Sequence, residues 1–520
     1  MSARSAPSRV TRALGYSLSN TCWQASAAAV TACLYALWVL SDIPTHHPSA
    51  DSHYHFTVAR EIGRGVLAPD PARGLPFTVL RDMPVDHYWA FHVLLAPFTW
   101  IGDYKWGLRW AASVGFAAVI ASLAAFISAR RVPNAALWAL CAMLFANQDW
   151  RYLQLRGAQC MVPLSLLIVE LAGFRRASRT RQLALVGTAF IGIWCYHGAL
   201  VLLPYAAVAS CAAHCLDPAL RQLHARVLAV MRDTACVATG LIAGLLVNPY
   251  MDARFSTFRF LVFHVTRMLA DPQNLYTDVV AEFHGFRGDY FVYMPEWGLL
   301  FLATVGTLLW VASRWIVQRP PSRSARVIAA VCILGMLLTW RAVRMREYSV
   351  PVAFALLAVV WSGRSLREPG ILSKFGLPAV CALLLLWAMK LRAPETRVQI
   401  GQSLPTDLFH GAASILERNG EHPILNLAEA DYGMLRIETP RVVCVHSLSR
   451  YFIYPYRDLY DDVWLIYRDA MRSDVRTRAA LERFARRGVR IVATHGNRAL
   501  DAWALAHPES LRPVFQSTVG

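Results

Sequence analysis

The chain reads as a series of apolar runs, roughly the 17 to 25 residues needed to cross a bilayer, separated by arginine-rich punctuation. The runs fall at about 23–41, 106–127, 133–149, 158–174, 182–198, 199–215, 235–249, 297–316, 326–340, 349–362 and 375–391, which predicts about 11 transmembrane helices. One apolar segment, Tyr88 to Gly102, is short, contains Pro97 and runs into Asp103 and Lys105. It is read as a helix lying on or dipping into the outer face. That choice places Arg130/Arg131, Arg175 to Arg181, Arg221/Arg226/Arg232, Arg319 to Arg326 and Arg364 to Lys374 on one side, the cytoplasmic side by the positive-inside rule. Arg4, Arg9 and Arg12 precede the first run, which is long for the core of a cleaved signal and is expected to stay as an anchor.

The expected organisation is a cytoplasmic N-terminal tail at 1–22, a membrane domain at 23–391 with outer loops at 42–105 and 249–296, and a periplasmic domain at 392–520. Within the second outer loop, Phe255 to Leu269 repeats its apolar residues at helical spacing and predicts a helix along the membrane surface. After about Arg392 the pattern turns soluble: strand-like runs at 423–427, 441–447 and 489–496 alternate with helical stretches such as Arg476 to Arg487. The fold class is therefore an α-helical polytopic membrane protein with a small soluble C-terminal α/β domain.

Composition agrees, with 56% hydrophobic residues and a mean hydropathy of +0.35, above the range of soluble domains. The formal charge of +18 does not point to nucleic acid, because the arginines are spread between the apolar runs instead of clustered on one module. Eleven cysteines lie mostly inside predicted helices with no Cys-x-x-Cys pair, so neither a disulfide framework nor a zinc site is indicated.

Ionisable residues on the outer side come from separate loops: Asp51, His53, His55 and Asp86; Asp149, Arg151 and Arg156; Asp252, Arg254 and Glu282; Arg341, Arg344, Arg346 and Glu347. Arginine in short outer loops runs against the positive-inside tendency and calls for a partner. Carboxylates such as Asp149 and Glu347 are internal partners. An anionic lipid phosphate is the other, since a planar guanidinium binds phosphate oxygens through two hydrogen bonds. Asp51 is either a chemical group or a helix cap or ion-pair partner of Arg60; Asp86 is either a second acid or the cap of the following helix. His53, His55, His87 and His92 match no metal spacing, and His87 and His92 do not share a helical face; they are read as interfacial hydrogen-bonders.

Asp51-Ser52-His53-Tyr54-His55-Phe56, followed by Val58-Ala59-Arg60-Glu61, is similar to the first-loop motif of oligosaccharyltransferase catalytic subunits. Trp150 to Arg156, Val247 to Tyr250 and Arg344 to Pro351 resemble, in order, outer-loop segments of membrane proteins with this architecture. Asp431-Tyr432-Gly433 resembles the end of that family's WWDYG motif, with Glu429 and Ala430 where the tryptophans belong. The chain thus resembles the glycosyltransferase C superfamily, which takes sugars from polyprenyl-phosphate carriers.

The resemblance implies transfer of a sugar from such a donor to a lipid, glycan or protein acceptor, on the outer face of a bacterial inner membrane. Asp51 would engage the acceptor or a divalent cation (Mg or Mn), with Asp86 helping. Arg344 and Arg346 would hold the donor phosphate, with Arg151 and Arg156 as further phosphate contacts and Tyr54, His55, Glu282 and Glu347 as other candidates. A carrier or flippase of an amphipathic anionic lipid, and a catalytically silent assembly subunit, are the alternatives. Reporter fusions test the sidedness: those after Arg131 and Arg181 should read as cytoplasmic and one at the C-terminus as periplasmic.

Overall fold

A computed structural model describes residues 9–41, 50–70, 74–78, 81, 86, 88–145, 149–214, 223–247, 249–250, 295–317, 321–341, 345–362, 390, 394, 411–427, 435–436, 439, 441–445, 456–469, 473–494 and 497–515. The bundle comprises α1 (Arg9–Ser41), α2 (Ala50–Gly63), α3 (Trp89–Leu95), α4 (Tyr104–Ser128), α5 (Ala135–Phe145), α6 (Asp149–Tyr152) and α7 (Ala158–Gly173). It continues with α8 (Arg179–Cys195), α9 (Leu202–His214), α10 (Leu223–Leu246), α11 (Pro295–Ile316), α12 (Arg323–Arg341) and α13 (Arg346–Ser362). Every predicted span except 375–391, of which only residue 390 is described, overlaps a helix. Among the described residues four stretches are long and apolar enough to cross a membrane: Ser19–Ser41, Tyr104–Ser128, Leu223–Leu246 and Arg323–Trp340.

Two helices begin earlier than the apolar runs suggest. The first starts at Arg9 and covers much of the expected tail. The tenth starts at Leu223, twelve residues or so ahead of the apolar run, because its polar turn is satisfied in place: Arg181 pairs with Asp233, and Ser210 Oγ donates to the other Asp233 oxygen at 2.7 Å.

Apolar burial between spans gains little from water exclusion, so close contact and hydrogen bonds must join them. On α1, Ala28, Ala32 and Ala36 recur every fourth residue and are fully buried, and α1 packs along α4. Gly107 of α4 lets the preceding 3-10 turn (Ala96–Trp100) lie against the helix, since a Cβ there would meet the Phe98 carbonyl oxygen at 2.5 Å. The α13 helix is buried on nearly all sides from Arg346 to Leu356, as expected of a central helix that is apolar all round. It touches α4, α5, α7, α11 and α12.

Several of the described arginines expected on one side meet neighbouring helix ends, while Arg221, Arg319 and Arg364 to Lys374 lie outside the described residues. Arg130 Nη2 donates to Glu170 at 2.6 Å, its guanidinium between the Phe126 and Phe174 rings at 3.6 and 3.9 Å. Arg323 Nε donates to the Gly173 carbonyl at 3.1 Å. The Tyr88 to Gly102 segment forms α3 and the 3-10 turn against α2, with α4 starting after it. The predicted helix at 255–269 lies outside the described residues.

The C-terminal part holds α14 (Ala413–Asn419), β1 (Pro423–Asn426), β2 (Val443–Cys444), α15 (Arg457–Asp469), α16 (Asp474–Arg486), β3 (Ile491–Ala493) and α17 (Arg498–Ala506). The sheet is parallel, in the order β2-β1-β3, with Ile424 opposite both Cys444 and Ile491. Parallel neighbours require crossovers, which the helices supply. Their apolar faces, including Leu459, Ile466, Phe484 and Trp503, cover one side.

The other side is completed by the first outer loop. Leu75 is fully buried among Ala412, Leu416, Ile424, Leu435, Val442 and Cys444, and the Gly74 carbonyl accepts from Cys444 N at 2.8 Å. Arg436 pairs with Glu61, and its carbonyl accepts from Arg60 Nη2 at 3.0 Å, so the domain is clamped to the end of α2. Leu75→Ala should therefore destabilise the C-terminal domain by about 2–5 kcal/mol, read as faster proteolytic release of that domain from the full chain.

Candidate functional site

The α2 helix carries the first-loop motif between the bundle and the C-terminal domain. Ser52, His53, His55, Phe56, Val58 and Ala59 are all buried, because α3 and the 3-10 turn cover one face while Tyr54 touches the core that includes Leu75. Asp51 is the second residue of this helix; its side chain lies outside the described residues. Its neighbour Ser52 is fixed, with Oγ accepting from Leu155 N at 3.0 Å. Arg60, the alternative partner considered for Asp51, reaches the Arg436 carbonyl.

Asp86 divides its two oxygens. Oδ1 accepts from Tyr88 N at 2.9 Å, a turn-forming contact just ahead of α3, and Oδ2 meets His92 Nδ1 at 2.6 Å. The opposite nitrogen of His92, Nε2, lies 2.7 Å from His55 Nδ1. Asp86, His92 and His55 thus form one buried chain. Around His55 stand Tyr54, Tyr88 and Phe91, with ring centroids at 5.3, 4.7 and 5.2 Å. Tyr88 in turn stacks on Tyr196 at the end of α8.

The second half of the site joins α6 and its following turn to α13. Arg151 donates through Nε at 3.0 Å and Nη2 at 2.6 Å to Oε1 of Glu347, both side chains almost fully buried. The Tyr152 hydroxyl donates to the Glu347 carbonyl. Burial, followed by the Glu347 charge, pushes the Tyr152 phenol well above its ordinary value, while Arg151 and Arg346 act in the opposite sense. Tyr152 therefore stays a donor, and Arg346 lies within its electrostatic reach. Arg346 is 7% exposed; Arg156 is half-buried in the turn before α7. Arg344, Glu282, His87 and Asp431 to Gly433 lie outside the described residues, as do the side chains of Asp149 and Arg341.

The halves meet through backbone neighbours. Ser52, next to Asp51, is bonded to Leu155, and the segment 151–155 grips Glu347, next to Arg346. Tyr250 meets the first loop: its OH donates to the Pro69 carbonyl at 2.9 Å, and burial with the Asp86, Glu61 and Asp70 charges raises its phenol. Arg151, read from sequence as a phosphate contact, has its guanidinium on Glu347.

Among the described residues no three His, Cys, Asp or Glu side chains are placed to hold a metal ion, and both Asp86 oxygens are engaged. The side chain of Asp51, which the resemblance gives to an acceptor or a divalent cation, and Glu282 lie outside the described residues. His92, read from sequence as an interfacial hydrogen-bonder, bonds to Asp86 and His55, while sequence reasoning passed over Tyr88 and Tyr196.

No protein-family model matches the chain, and no curated protein matches it. Among solved structures, the fold is similar to that of the oligosaccharyltransferase of Archaeoglobus fulgidus, crystallised with zinc and sulfate. The TM-score is 0.52 at 12% sequence identity, over 89% of this chain and 67% of that one. The two share a fold.

Glu347→Gln would leave the buried Arg151 cation without its counter-charge and should destabilise the chain by about 3–5 kcal/mol. Thermal unfolding of the detergent-solubilised protein measures this, and replacing Arg151 and Glu347 together by Met and Leu should recover most of the loss.

Proposed function

We propose that the chain is a membrane glycosyltransferase that moves a sugar from a polyprenyl-phosphate-linked donor to a lipid, glycan or protein acceptor on the outer face of a bacterial inner membrane. The observation that carries this reading is the joining of the Asp51 helix to the Arg346 turn through Ser52, Leu155, Tyr152 and Glu347, in a fold shared with an oligosaccharyltransferase. Carboxylate and guanidinium groups gathered at one end of a helical bundle suit the two demands of the reaction. An acceptor hydroxyl or amide has to be oriented and relieved of a proton, and a phosphate has to be stabilised as it leaves.

In this reading Asp51 orients the acceptor and serves as its hydrogen-bond acceptor, while Asp86 supports the first loop from beneath. Arg344 and Arg346 bind the donor phosphate. The Arg151–Glu347 pair supports that role by fixing the first turn of α13, which sets where Arg346 stands. Nearby lies a small cleft between α11, α12 and α13, lined by Leu300, Phe301, Met336, Trp340, Val350 and Ala353 among others. Its hydroxyl-bearing Ser349, bonded to Thr339 at 2.8 Å, is one turn after Arg346. A guanidinium one helical turn from an apolar cleft suits an amphipathic phosphate with a hydrocarbon tail.

A lipid carrier would use the same cleft and arginine without making a bond. Asp51→Asn separates the two readings. A transferase should lose turnover by about 100-fold or more while retaining donor binding, whereas movement of lipid across the membrane should continue at the wild-type rate. Sugar transfer at the wild-type rate by purified Asp51→Asn protein would rule the proposed chemistry out.

A further inference from the structure

A second buried ion pair lies at the other end of the bundle. Helix α8 leads from Arg181 to Cys195, and the next residue, Tyr196, stacks on Tyr88 beside the first loop. Arg181 therefore stands most of a helix length from the candidate site. Its guanidinium pairs with Asp233 of α10 and donates through Nη1 to the Leu171 carbonyl at 2.9 Å. Ser210 of α9 donates to the second Asp233 oxygen. The carboxylate is fully buried with both oxygens engaged.

Two further guanidinium groups stand around this closed pair. Arg232 Nε is 3.7 Å from Asp233 Oδ1, beyond hydrogen-bond length, and its side chain is 41% exposed. Arg323, the first residue of α12, is exposed and donates through Nε to a neutral acceptor, the Gly173 carbonyl. Helix α9 packs against both α10 and α12, and the charges of Arg181, Arg232 and Arg323 all act on His214 at its end. Among the described residues acting there, three guanidinium groups meet one carboxylate. Positive charge is in excess, and the carboxylate is already taken.

The surface beside Arg232 is apolar. On α10, Leu228, Met231, Ile242 and Leu246 are 52%, 61%, 57% and 44% exposed, and their spacing puts them on one helical face. Arg232 falls on that face, with exposed apolar side chains before and after it along the axis. The helix is long and apolar enough to cross a membrane, and in such a span a face of this kind meets lipid. An arginine there requires an anion, which Asp233 cannot supply.

We propose that the surface of α10 and α12 flanking the end of α9 binds the phosphate of an anionic phospholipid headgroup, with Arg232 and Arg323 as its contacts. Each guanidinium can offer a phosphate two parallel hydrogen bonds, and basic pockets between spans take such headgroups. Inorganic phosphate presents the same oxygens, but only a lipid also covers Leu228 and Met231. Arg181, Asp233 and Ser210 are the frame that fixes where Arg232 stands. The site is separate from the Asp51 and Arg346 region and holds for a transferase or a carrier alike.

The test titrates the full chain in detergent with phosphatidylglycerol, phosphatidylcholine or inorganic phosphate. Bound lipid is counted by native mass spectrometry, with thermal unfolding read in parallel. Phosphatidylglycerol should be retained in preference to phosphatidylcholine and should raise the unfolding temperature, while inorganic phosphate should not. Arg232→Gln and Arg323→Gln should each weaken the first phosphatidylglycerol bound by about fivefold. Arg232→Lys should stay within about twofold of wild type, and Arg131→Gln, which removes an exposed charge after α4, should change nothing.

Wild-type retention in both glutamine variants, or an equal loss in Arg131→Gln, would overturn the site. Equal retention of phosphatidylcholine, or equal stabilisation by inorganic phosphate, would overturn the anionic lipid as its occupant. If Arg232→Gln unfolds without lipid, Arg323→Gln, which touches no buried pair, decides the matter. Loss of sugar transfer in the wild type bears on none of these readings.

Discussion

Charge that is out of reach of water has to find its counter-charge inside the protein, and the outer end of the bundle is arranged around one such requirement. Glu347 is 1% exposed and Arg151 5%, and their contact ties the α6–α7 connection to the first turn of α13. A buried pair of this kind contributes little net stability over apolar packing, yet breaking it is costly. Its value is geometric. Two segments about two hundred residues apart in the chain are held in one relative position, and the groups flanking them, Ser52 and Arg346, inherit that position. The opposite end obeys the same constraint with Arg181, Asp233 and Ser210.

The first outer loop belongs to both bodies of the molecule. Its helix rests on α3 and on the 3-10 turn that lies against α4, while Leu75 and Gly74 complete the edge of the C-terminal sheet. An unpaired strand edge is normally a liability; here Gly74 covers part of the β2 edge from within the same chain. The segment that carries Asp51 and the domain that sits above it are therefore one packed unit, clamped by Glu61 and Arg436.

Much of the helical layout was legible because the apolar runs approach the length of a span and arginine-rich stretches separate them. The parallel strands at 423–426, 443–444 and 491–493 were legible as short apolar runs between helical stretches. The early start of α10 was not, because Arg226, Arg232 and Asp233 look like a polar loop until Asp233 is seen to be buried against Arg181. Leu75 gave no signal, since a lone leucine in a Pro/Gly-broken stretch carries no periodicity. For the site, Asp86 was visible as an acid beside a surface helix. His92 was visible as a hydrogen-bonder, but its partners were not, because they come from 6 and 37 residues away and spacing rules for helices say nothing about contacts between elements.

The burial of Leu75 also sets a mechanical limit. With Gly74 and Leu75 seated in the C-terminal domain and Gly63 ending α2, eleven steps span the two, a reach of roughly 36–40 Å at most. Thr78 to Asp86 is a second tether of eight steps, roughly 26–29 Å at most, ending at the carboxylate that holds His92. Any excursion of the domain is thus bounded on both sides by the first loop, and a large one would pull first on the two segments that carry the acidic groups.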